Sequence, residues 1–312
     1  MNKKAHGIMF HHFHDDNKHI VGQGSISADT LERLLDFYSI EHNLIGAKEF
    51  LDKLENNTLN DDDVCITFDD GLLCQYDIAF PVLQKRNLTA FWFVYTSPLD
   101  NVIEKIEIYR HFRFSCFTSI DSFYETFFNA VDKEYGINEL LKDYDSDSFL
   151  KDFPFYTYND KKFRYLRDVV LKEKKYYGIM DKMLEEYNYD IDKNSKLLWL
   201  SADNILDLYN NNHIIGLHSY SHPTAMVNKS DQEQAYEYEI NKKELENIIK
   251  DKIISVSYPC NSYNSATLKF MNTNGIKIGF RANMADVNKE CPNLELPRED
   301  HANILKAMEV QK

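Results

Sequence analysis

The chain has 312 residues and a formal net charge of −14, with acidic residues spread along its whole length. This length is sufficient for the core of one large α/β domain or of two smaller domains. The negative charge argues against nucleic acid or an anionic membrane surface as a partner, because both require concentrated Lys and Arg. No segment is apolar over enough residues to span a bilayer as a transmembrane helix.

Two further features of the sequence bear on the cellular compartment of the protein. The N-terminal residues lack the apolar core of a signal peptide. The cysteines are odd in number and without close pairs, which is typical of reduced thiols and not of a disulfide framework or a Cys-rich zinc site. They are Cys65, Cys74, Cys116, Cys260 and Cys291. We therefore expect a cytoplasmic protein.

The first third of the sequence alternates predicted strands and helices. Residues 7–13 form an apolar segment typical of a strand, which ends among several histidines. Ser27 is a predicted N-cap, because a helical stripe of apolar residues follows it. Predicted strands at residues 64–68 and 90–95 flank a predicted helix at 75–86. This alternation indicates a parallel sheet with covering helices, wound as a barrel or as an open sheet.

The alternation stops between residues 100 and 196, where aromatic and charged residues predict helices joined by polar turns. It resumes at Leu197, so we interpret residues 100–196 as a helical insertion within a single catalytic domain spanning residues 1–312. Ser201 is the predicted cap of the next helix. Further predicted strands lie at 214–217, 253–258 and 276–281, and further helices at 232–250 and 265–273.

The first candidate functional segment is residues 66–71, which read ITFDDG. They place Asp69 and Asp70 at the C-terminal end of a buried strand. Neighbouring residues on a continuing strand point to opposite faces, but Gly71 allows the chain to turn there. Both carboxylates are then available to one pocket, although an Asp-Asp-Gly sequence alone is more often an ordinary turn.

The second candidate segment is residues 218–222, which read HSYSH and follow the predicted strand 214–217. If the chain makes a helical turn here, His218 and His222 share one face, as two ligands of one metal must. Such a pair alone is more often a surface or capping pair. A mononuclear hydrolytic site needs about three protein ligands, a spare carboxylate and an open position for water. The two segments together, each at a strand end, favour such a site.

With these motifs on hand, the sequence resembles the polysaccharide deacetylase family, the NodB-homology group of carbohydrate esterases. Residues 67–71 match the family's Thr-Phe-Asp-Asp-Gly, and residues 218–222 match a shortened form of its His-Ser/Thr-x-x-x-His. Residues 257–261 (SYPCN) look like a variant of its Pro-containing motif, and residues 79–83 and 89–94 continue the likeness. The resemblance fails across the helical insertion. It implies a deformed (β/α) barrel of the polysaccharide deacetylase type.

Carried over residue by residue, the resemblance implies roles for five residues. Asp70, His218 and His222 would bind one divalent metal ion, usually Zn²⁺. Asp69 would be the general base that deprotonates the metal-bound water. The backbone N–H of Cys260 would help to hold the oxyanion formed from the substrate's acetamido carbonyl.

The sequence also departs from the family pattern. The family often has an Arg two residues before the motif's Pro, where this chain has Ser257; Arg298 is our candidate for a cation that orients Asp69, and a surface ion pair is the alternative. The Leu-x-His motif that usually carries the general acid is not evident. His301 and His11 are the candidates, against a surface or capping role for each. We favour His11 slightly, because a strand end is more rigid than a C-terminal loop.

We therefore predict a metal-dependent carbohydrate deacetylase, a hydrolase that removes an N-acetyl group from an acetamido sugar in surface-glycan or polysaccharide biosynthesis. A cytoplasmic location implies a biosynthetic intermediate as substrate, lipid-linked or nucleotide-linked. The alternatives are a deformylase, an O-acetyl esterase or a cyclic-amide hydrolase with the same metal site, and a non-catalytic glycan-binding protein. We also expect the aromatic-rich insertion to emerge on the C-terminal face of the barrel and to narrow the sugar cleft.

Overall fold

Strands that are distant in the sequence pair side by side in one parallel sheet. The computed structural model describes residues 4–151, 156–287 and 290–310. Within these ranges the strands are β1 (His6–Phe10), β2 (Asn43–Leu44), β3 (Asp63–Phe68), β4 (Ala90–Val94), β5 (Ile214–Leu217), β6 (Ser255–Ser257), β7 (Ile278–Phe280) and β8 (Arg298–Asp300). All their pairings are parallel, in the order β7-β6-β5-β4-β3-β1-β8, with β2 also pairing with the start of β3.

Strands β7 and β8, at the two ends of this order, approach each other, so the sheet nearly closes into a barrel. Phe280 at the end of β7 forms a parallel bridge with Leu296, just before β8. The backbone N–H of Leu296 donates to the carbonyl of Gly279 over 2.9 Å, and Arg281 N–H donates to the carbonyl of Leu296 over 2.9 Å. The nearly closed parallel sheet with its covering helices confirms the predicted deformed (β/α) barrel.

Helices connect the strands, as the alternating pattern predicted. Outside the insertion they are α1 (Ala28–Tyr38), α2 (Ala47–Glu55), α3 (Phe80–Lys85) with a π-helical turn before it (Gln75–Ala79), α10 (Ala202–Asn210), α11 (Asp231–Ile249), α12 (Ser265–Thr273) and α13 (His301–Val310). The predicted caps are confirmed, because Ser27 Oγ accepts from Thr30 N–H and Ser201 Oγ accepts from Asn204 N–H. The central strands β3 and β4 are buried along their whole length, which explains their continuous apolar sequences.

The C-terminal part of the chain was wrongly predicted as a loop. It forms the short strand β8 and the helix α13, which begins at His301. The sequence of β8 is Arg-Glu-Asp, so it has none of the apolar alternation by which strands are recognised. It is a strand because β1 pairs with it and because the charge of Arg298 is compensated inside the barrel.

The chain divides into two compact units, of which one is Lys105–Ser195 and the other comprises the remaining residues. These limits lie close to the predicted insertion boundaries, and the interpretation as one catalytic domain stays a prediction. The smaller unit contains α4 (Lys105–Ser115), α5 (Ile120–Tyr135), α6 (Ile137–Leu140), α7 (Tyr158–Arg164) with a π-helical segment after it (Tyr165–Leu171), α8 (Lys172–Glu186) and α9 (Ile191–Ser195). No helix among the described residues is both long and apolar enough to cross a membrane.

Aromatic side chains form the core of the smaller unit. Phe112, Phe123 and Phe127 are completely buried, and the rings of Phe127 and Phe163 meet edge to face at 5.0 Å between centroids. Such pairs stabilise a core beyond the area that they bury. These particular side chains therefore pack within the unit and do not present a surface to a sugar.

Candidate metal and catalytic site

Polar side chains from several strands meet inside the larger unit. Asp69 and Asp70 follow the end of β3, and His218 follows the end of β5. Parallel strands present their carboxyl ends at the same edge of a sheet, so these residues are brought together although they are distant in sequence. Ser257 ends β6, and the inward-facing Arg298 begins β8.

Asp70, His218 and His222 form a cluster with the dimensions of a metal site. One potential ligand atom from each lies within 4.8 Å of the other two. Nε2 of His218 and Nε2 of His222 are each 3.3 Å from Oδ1 of Asp70. The structure thus brings together the three residues predicted as ligands.

The hydrogen bonds around this cluster fit a bound cation. Nδ1 of His218 lies 2.9 Å from the carbonyl oxygen of Ser257, which can only accept, so Nδ1 carries the proton. In the neutral imidazole, the lone pair of Nε2 then faces Asp70 Oδ1, a buried oxygen with no hydrogen-bond donor among the described residues. Burial raises the pKa of Asp70, but positive charge on the neighbouring imidazoles, first that of His222, outweighs it and holds the pKa well below its ordinary range. One carboxylate and two imidazoles are a donor set that suits Zn²⁺.

The backbone around Asp70 is turned as the sequence predicted. Asp70 has φ 74° and Gly71 has φ 60°, so two consecutive residues are in the left-handed region. A Cβ atom at Gly71 would lie 2.8 Å from Cγ1 of Val94, so the position has no room for a side chain. A non-glycine residue in this region costs about 1–3 kcal/mol and persists where surrounding contacts hold it.

The segment 218–222 does not make the helical turn on which its prediction was based. Ser219 has φ 64° and His222 has φ 53°, and no helix is formed there. The N–H of His222 instead donates to Oγ of Ser219 over 3.1 Å. The two histidines converge through this strained loop, so the argument from i, i+4 spacing was wrong although the residues meet.

Asp69 is held by a buried arginine. Nη1 and Nη2 of Arg298 donate to Oδ1 and Oδ2 of Asp69, both over 2.7 Å, in a bidentate pair. Arg298 is completely buried, so the alternative of a surface ion pair is wrong. Burial raises the pKa of Asp69, but the charge of Arg298 outweighs it and lowers the pKa. The carboxylate is therefore ionised and fixed in orientation beside the metal cluster.

Ser257 occupies the position at which the family often has an arginine. Its Oγ accepts from Nη2 of Arg298 over 2.7 Å and lies 3.2 Å from Oδ2 of Asp69, to which it donates. The serine thus joins the network in which Arg298 supplies the positive charge. A cation from β8 replaces one from the Pro-containing motif.

The two candidate general acids are in different environments. Nε2 of His11 lies 3.9 Å from Oδ2 of Asp69, and 30% of the His11 side chain is exposed. His301 is buried, with Nε2 3.0 Å from the carbonyl of Gly24, Nδ1 3.3 Å from the carbonyl of Met9, and its ring stacked on Phe10. The alternative of a surface role for His301 is therefore wrong. Nδ1 of His301 also lies 3.2 Å from Oδ1 of Asp300, and the choice between the two histidines as general acid stays a prediction.

Cys260 lies in the loop that follows β6. The loop Pro259–Asn261 is a single 3₁₀ turn in which Cys260 has φ 51° and an exposed side chain. The side chain of Asn261 accepts from the N–H of Ala282 over 2.9 Å and so anchors the loop. The loop begins two residues after Ser257, whose carbonyl contacts His218. The role of the backbone N–H of Cys260 stays a prediction.

Other residues of the site were missed in the sequence. Asn241 and Glu237 of α11 contact the segment 218–222, and both are buried. The available signal was their spacing, since they lie on the same helical face as the apolar residues Tyr238, Leu245 and Ile249. Tyr95 was missed as well; its ring lies 5.1 Å from that of His222, and its hydroxyl accepts from Nε1 of Trp199.

The fold is a nearly closed parallel barrel, and a cluster of three candidate metal ligands lies at the carboxyl edge of its sheet. A family model described as polysaccharide deacetylase matches residues 179–279, which include both histidines and the Pro-containing motif. No curated protein matches the sequence. The family model and the fold together confirm the resemblance to the polysaccharide deacetylase family.

Solved structures share the fold over nearly the whole chain. The Streptococcus pyogenes deacetylase PplD, in complex with acetate, is 16% identical with a TM-score of 0.55, covering 99% of each chain. IcaB from Ammonifex degensii is 16% identical with a TM-score of 0.55, covering 95% of this chain and 91% of that one. A de-N-acetylase from Aggregatibacter actinomycetemcomitans is 13% identical with a TM-score of 0.56, covering 97% and 98%. At sequence identities this low, the comparisons show a shared fold only.

Proposed function

We propose that this protein is a metal-dependent hydrolase that removes the N-acetyl group of an acetamido sugar. The observation that supports this most directly is the convergence of Asp70, His218 and His222 beside a second carboxylate, Asp69, that is held by Arg298. A hydrolytic site needs a place for a metal ion and a separate base for water, and this arrangement has candidates for both. The names of the similar structures, which include a deacetylase with acetate and a de-N-acetylase, agree with the proposal.

The residues of the chain have distinct tasks in this proposal. A divalent ion such as Zn²⁺, held by Asp70, His218 and His222, would polarise the acetamido carbonyl and lower the pKa of water to about 7. Asp69 accepts the proton of the attacking water. Its two oxygens have about four acceptor positions, so the contacts with Arg298 and Ser257 leave capacity for a further donor.

Two groups act on the rest of the substrate. The backbone N–H of Cys260 donates to the oxygen on which negative charge develops, since a preorganised donor stabilises the transition state most where the charge appears. The imidazole of His11 protonates the departing nitrogen. An amide does not expel a free amide anion near neutral pH, so an acid is required at this step.

The pH dependence of the hydrolysis rate tests the assignment of His11 as the general acid. A general acid must be protonated to act, so the rate falls at alkaline pH. We expect His11→Gln to lower turnover by roughly 10²- to 10⁴-fold and to remove this alkaline limb. His301→Gln is the matched control and should retain the limb. Loss of the limb in His301→Gln, or an unchanged profile in His11→Gln, would exclude His11 as the acid.

The proposed substrate is an acetamido sugar on a lipid or nucleotide carrier, and the proposed location is the cytoplasm. The location rests on the scattered cysteines, which are typical of reduced thiols, and the carrier follows from the location. The expected position of the insertion beside the sugar cleft also stays a prediction.

The function is tested by incubating the zinc-loaded protein with a panel of acylated sugars and measuring released acid. The panel contains nucleotide-linked and lipid-linked N-acetyl sugars, with N-formyl and O-acetyl analogues and a cyclic amide. We expect acetate from at least one N-acetyl sugar and none after removal of zinc by a chelator. Hydrolysis confined to the formyl, O-acetyl or cyclic substrates would replace the proposal by a related hydrolase. Binding of sugars without any hydrolysis would indicate a glycan-binding protein.

A further inference from the structure

Two buried polar side chains of α11 lie directly behind the loop that carries the histidines. We call residues 218–222 the histidine loop. Asn241 is completely buried and Glu237 is 6% exposed. They are four residues apart and therefore lie on one face of the helix. We propose that Asn241 and Glu237 are positioning residues, which hold the histidine loop in the conformation that binds the metal. This inference rests on the proposed function, because it assumes a metal at this site.

Asn241 joins the start of the histidine loop to the end of a neighbouring strand. Its Oδ1 accepts from the backbone N–H of His218 over 3.0 Å. Its Nδ2 donates to the carbonyl of Val94 over 2.9 Å and to Oγ1 of Thr96 over 3.1 Å. The position requires an acceptor and a donor in one short side chain. An Asp would present a carboxylate oxygen to the Val94 carbonyl, and a Leu would leave a buried N–H unpaired.

Glu237 holds the other end of the same loop. Its Oε2 accepts from the backbone N–H of Ser221 over 2.8 Å, and its Oε1 accepts from Oγ of Ser221 over 2.7 Å. Nζ of Lys229 lies 3.7 Å from Oε1 and partly compensates the buried charge. The carboxylate thus binds both donors of the residue that immediately precedes His222. A buried carboxylate needs such partners, and here both hydrogen-bond donors belong to the loop.

The histidine loop needs external support because its backbone is strained. Ser219 and His222 have φ values of 64° and 53°, in the left-handed region. Such residues persist only where the surrounding structure over-determines their conformation. One backbone contact, from Ser97 N–H to the carbonyl of Tyr220 over 2.9 Å, restrains the middle of the loop. Helix α11 supplies the contacts at His218 and Ser221 on either side of it.

The consequence is that α11 sets the metal affinity without contributing a ligand. If the contacts are removed, the two imidazoles sample other positions, and binding must then restore the strained loop. Residues that orient metal ligands typically change affinity by about 10- to 100-fold when they are replaced. We expect losses of this size for Asn241→Leu and Glu237→Gln. The Gln variant keeps the shape of Glu237 but presents an NH₂ group to one of the two Ser221 donors.

The experiment measures zinc affinity of the full chain by competition with a chromophoric chelator, together with the melting temperature of the metal-free protein. Asn247→Leu and Glu239→Gln are matched controls, because both side chains are exposed on the same helix. Leu245→Ala is the stability control, since it removes a buried apolar side chain of α11. We expect Leu245→Ala to lower the melting temperature without weakening zinc binding, whereas Asn241→Leu and Glu237→Gln weaken zinc binding by about 10- to 100-fold.

A double-substitution cycle tests the contact with the loop itself and remains informative if Asn241→Leu fails to fold. Ser221→Ala should weaken zinc binding, and combining it with Glu237→Gln should cost less than the sum of the two single losses, because both substitutions disturb the hydrogen bond from Ser221 Oγ to Glu237. Additive losses would contradict the proposal. If the natural chain binds zinc and Asn241→Leu and Glu237→Gln bind it with unchanged affinity, the inference is wrong but the proposed function stands. The same conclusion follows if Leu245→Ala loses as much zinc affinity as these two variants. A natural chain that binds no zinc would overturn the proposed function as well.

Discussion

Replacing either metal-site histidine should abolish zinc binding and, with it, hydrolysis. In His218→Ala or His222→Ala, the cluster keeps Asp70 and one imidazole, which are too few ligands for a site that needs about three. The remaining nitrogen and the buried Asp70 Oδ1, which has no donor among the described residues, cannot hold the ion. We expect about one equivalent of zinc in the natural protein and near none in either variant, by elemental analysis of the purified chain.

The control for this prediction is a histidine in another part of the barrel. His42 precedes β2 at the opposite edge of the sheet, where its ring stacks on Tyr38 at 4.1 Å. His42→Ala should therefore keep its zinc. If His218→Ala and His222→Ala both retain full zinc content while His42→Ala does so as well, the ligand assignment is wrong.

Asp69→Asn should separate metal binding from chemistry. The amide keeps the size of the side chain but cannot accept the proton of water, so turnover should fall by roughly 10²- to 10⁴-fold while zinc stays bound. The variant also places an NH₂ group against the guanidinium of Arg298. Removing one partner of a buried ion pair typically costs about 3–5 kcal/mol of stability. Activity and zinc content should accordingly be measured well below the melting temperature of the variant.

Ser257→Ala is the matched control, because it trims the same network without removing the base. It deletes one hydrogen bond to Asp69 and leaves the bidentate pair with Arg298 in place. Its loss of turnover should be much smaller than that of Asp69→Asn. Full activity in Asp69→Asn would mean that another residue activates the water. Loss of zinc from the folded variant would mean that Asp69 and Asp70 have exchanged roles.

Patterns within a few residues were enough to predict most of the elements that support the site. Ser27 and Ser201 were predictable as caps, because a cap is a hydrogen bond within the first turn of its own helix. The strand before Asp69 was predictable from its apolar, β-branched sequence. Gly71 marked the turn that follows. Each of these interactions is local, so the residues that determine it are adjacent in the sequence.

The partners of the site residues depended on contacts between distant segments. Arg298 meets Asp69 only because β8 pairs with β1 on the side of β1 away from β3, and nothing in Arg-Glu-Asp indicates a buried strand. The sequence likewise offered little reason to choose between His11 and His301 as the general acid. The fold distinguishes their surroundings, because both nitrogens of His301 contact backbone carbonyls.

The histidine loop shows the same division between local and tertiary determinants. The sequence by itself determined which residue types are available for a metal site and that they follow strand ends. It did not determine the loop conformation, because left-handed residues at Ser219 and His222 are unfavourable locally. Contacts from Asn241 and Glu237, about twenty residues away in the chain, offset that cost. Only the tertiary structure decided how the two histidines meet Asp70, because the strained conformation is stable only when the packed helix α11 supplies its hydrogen bonds.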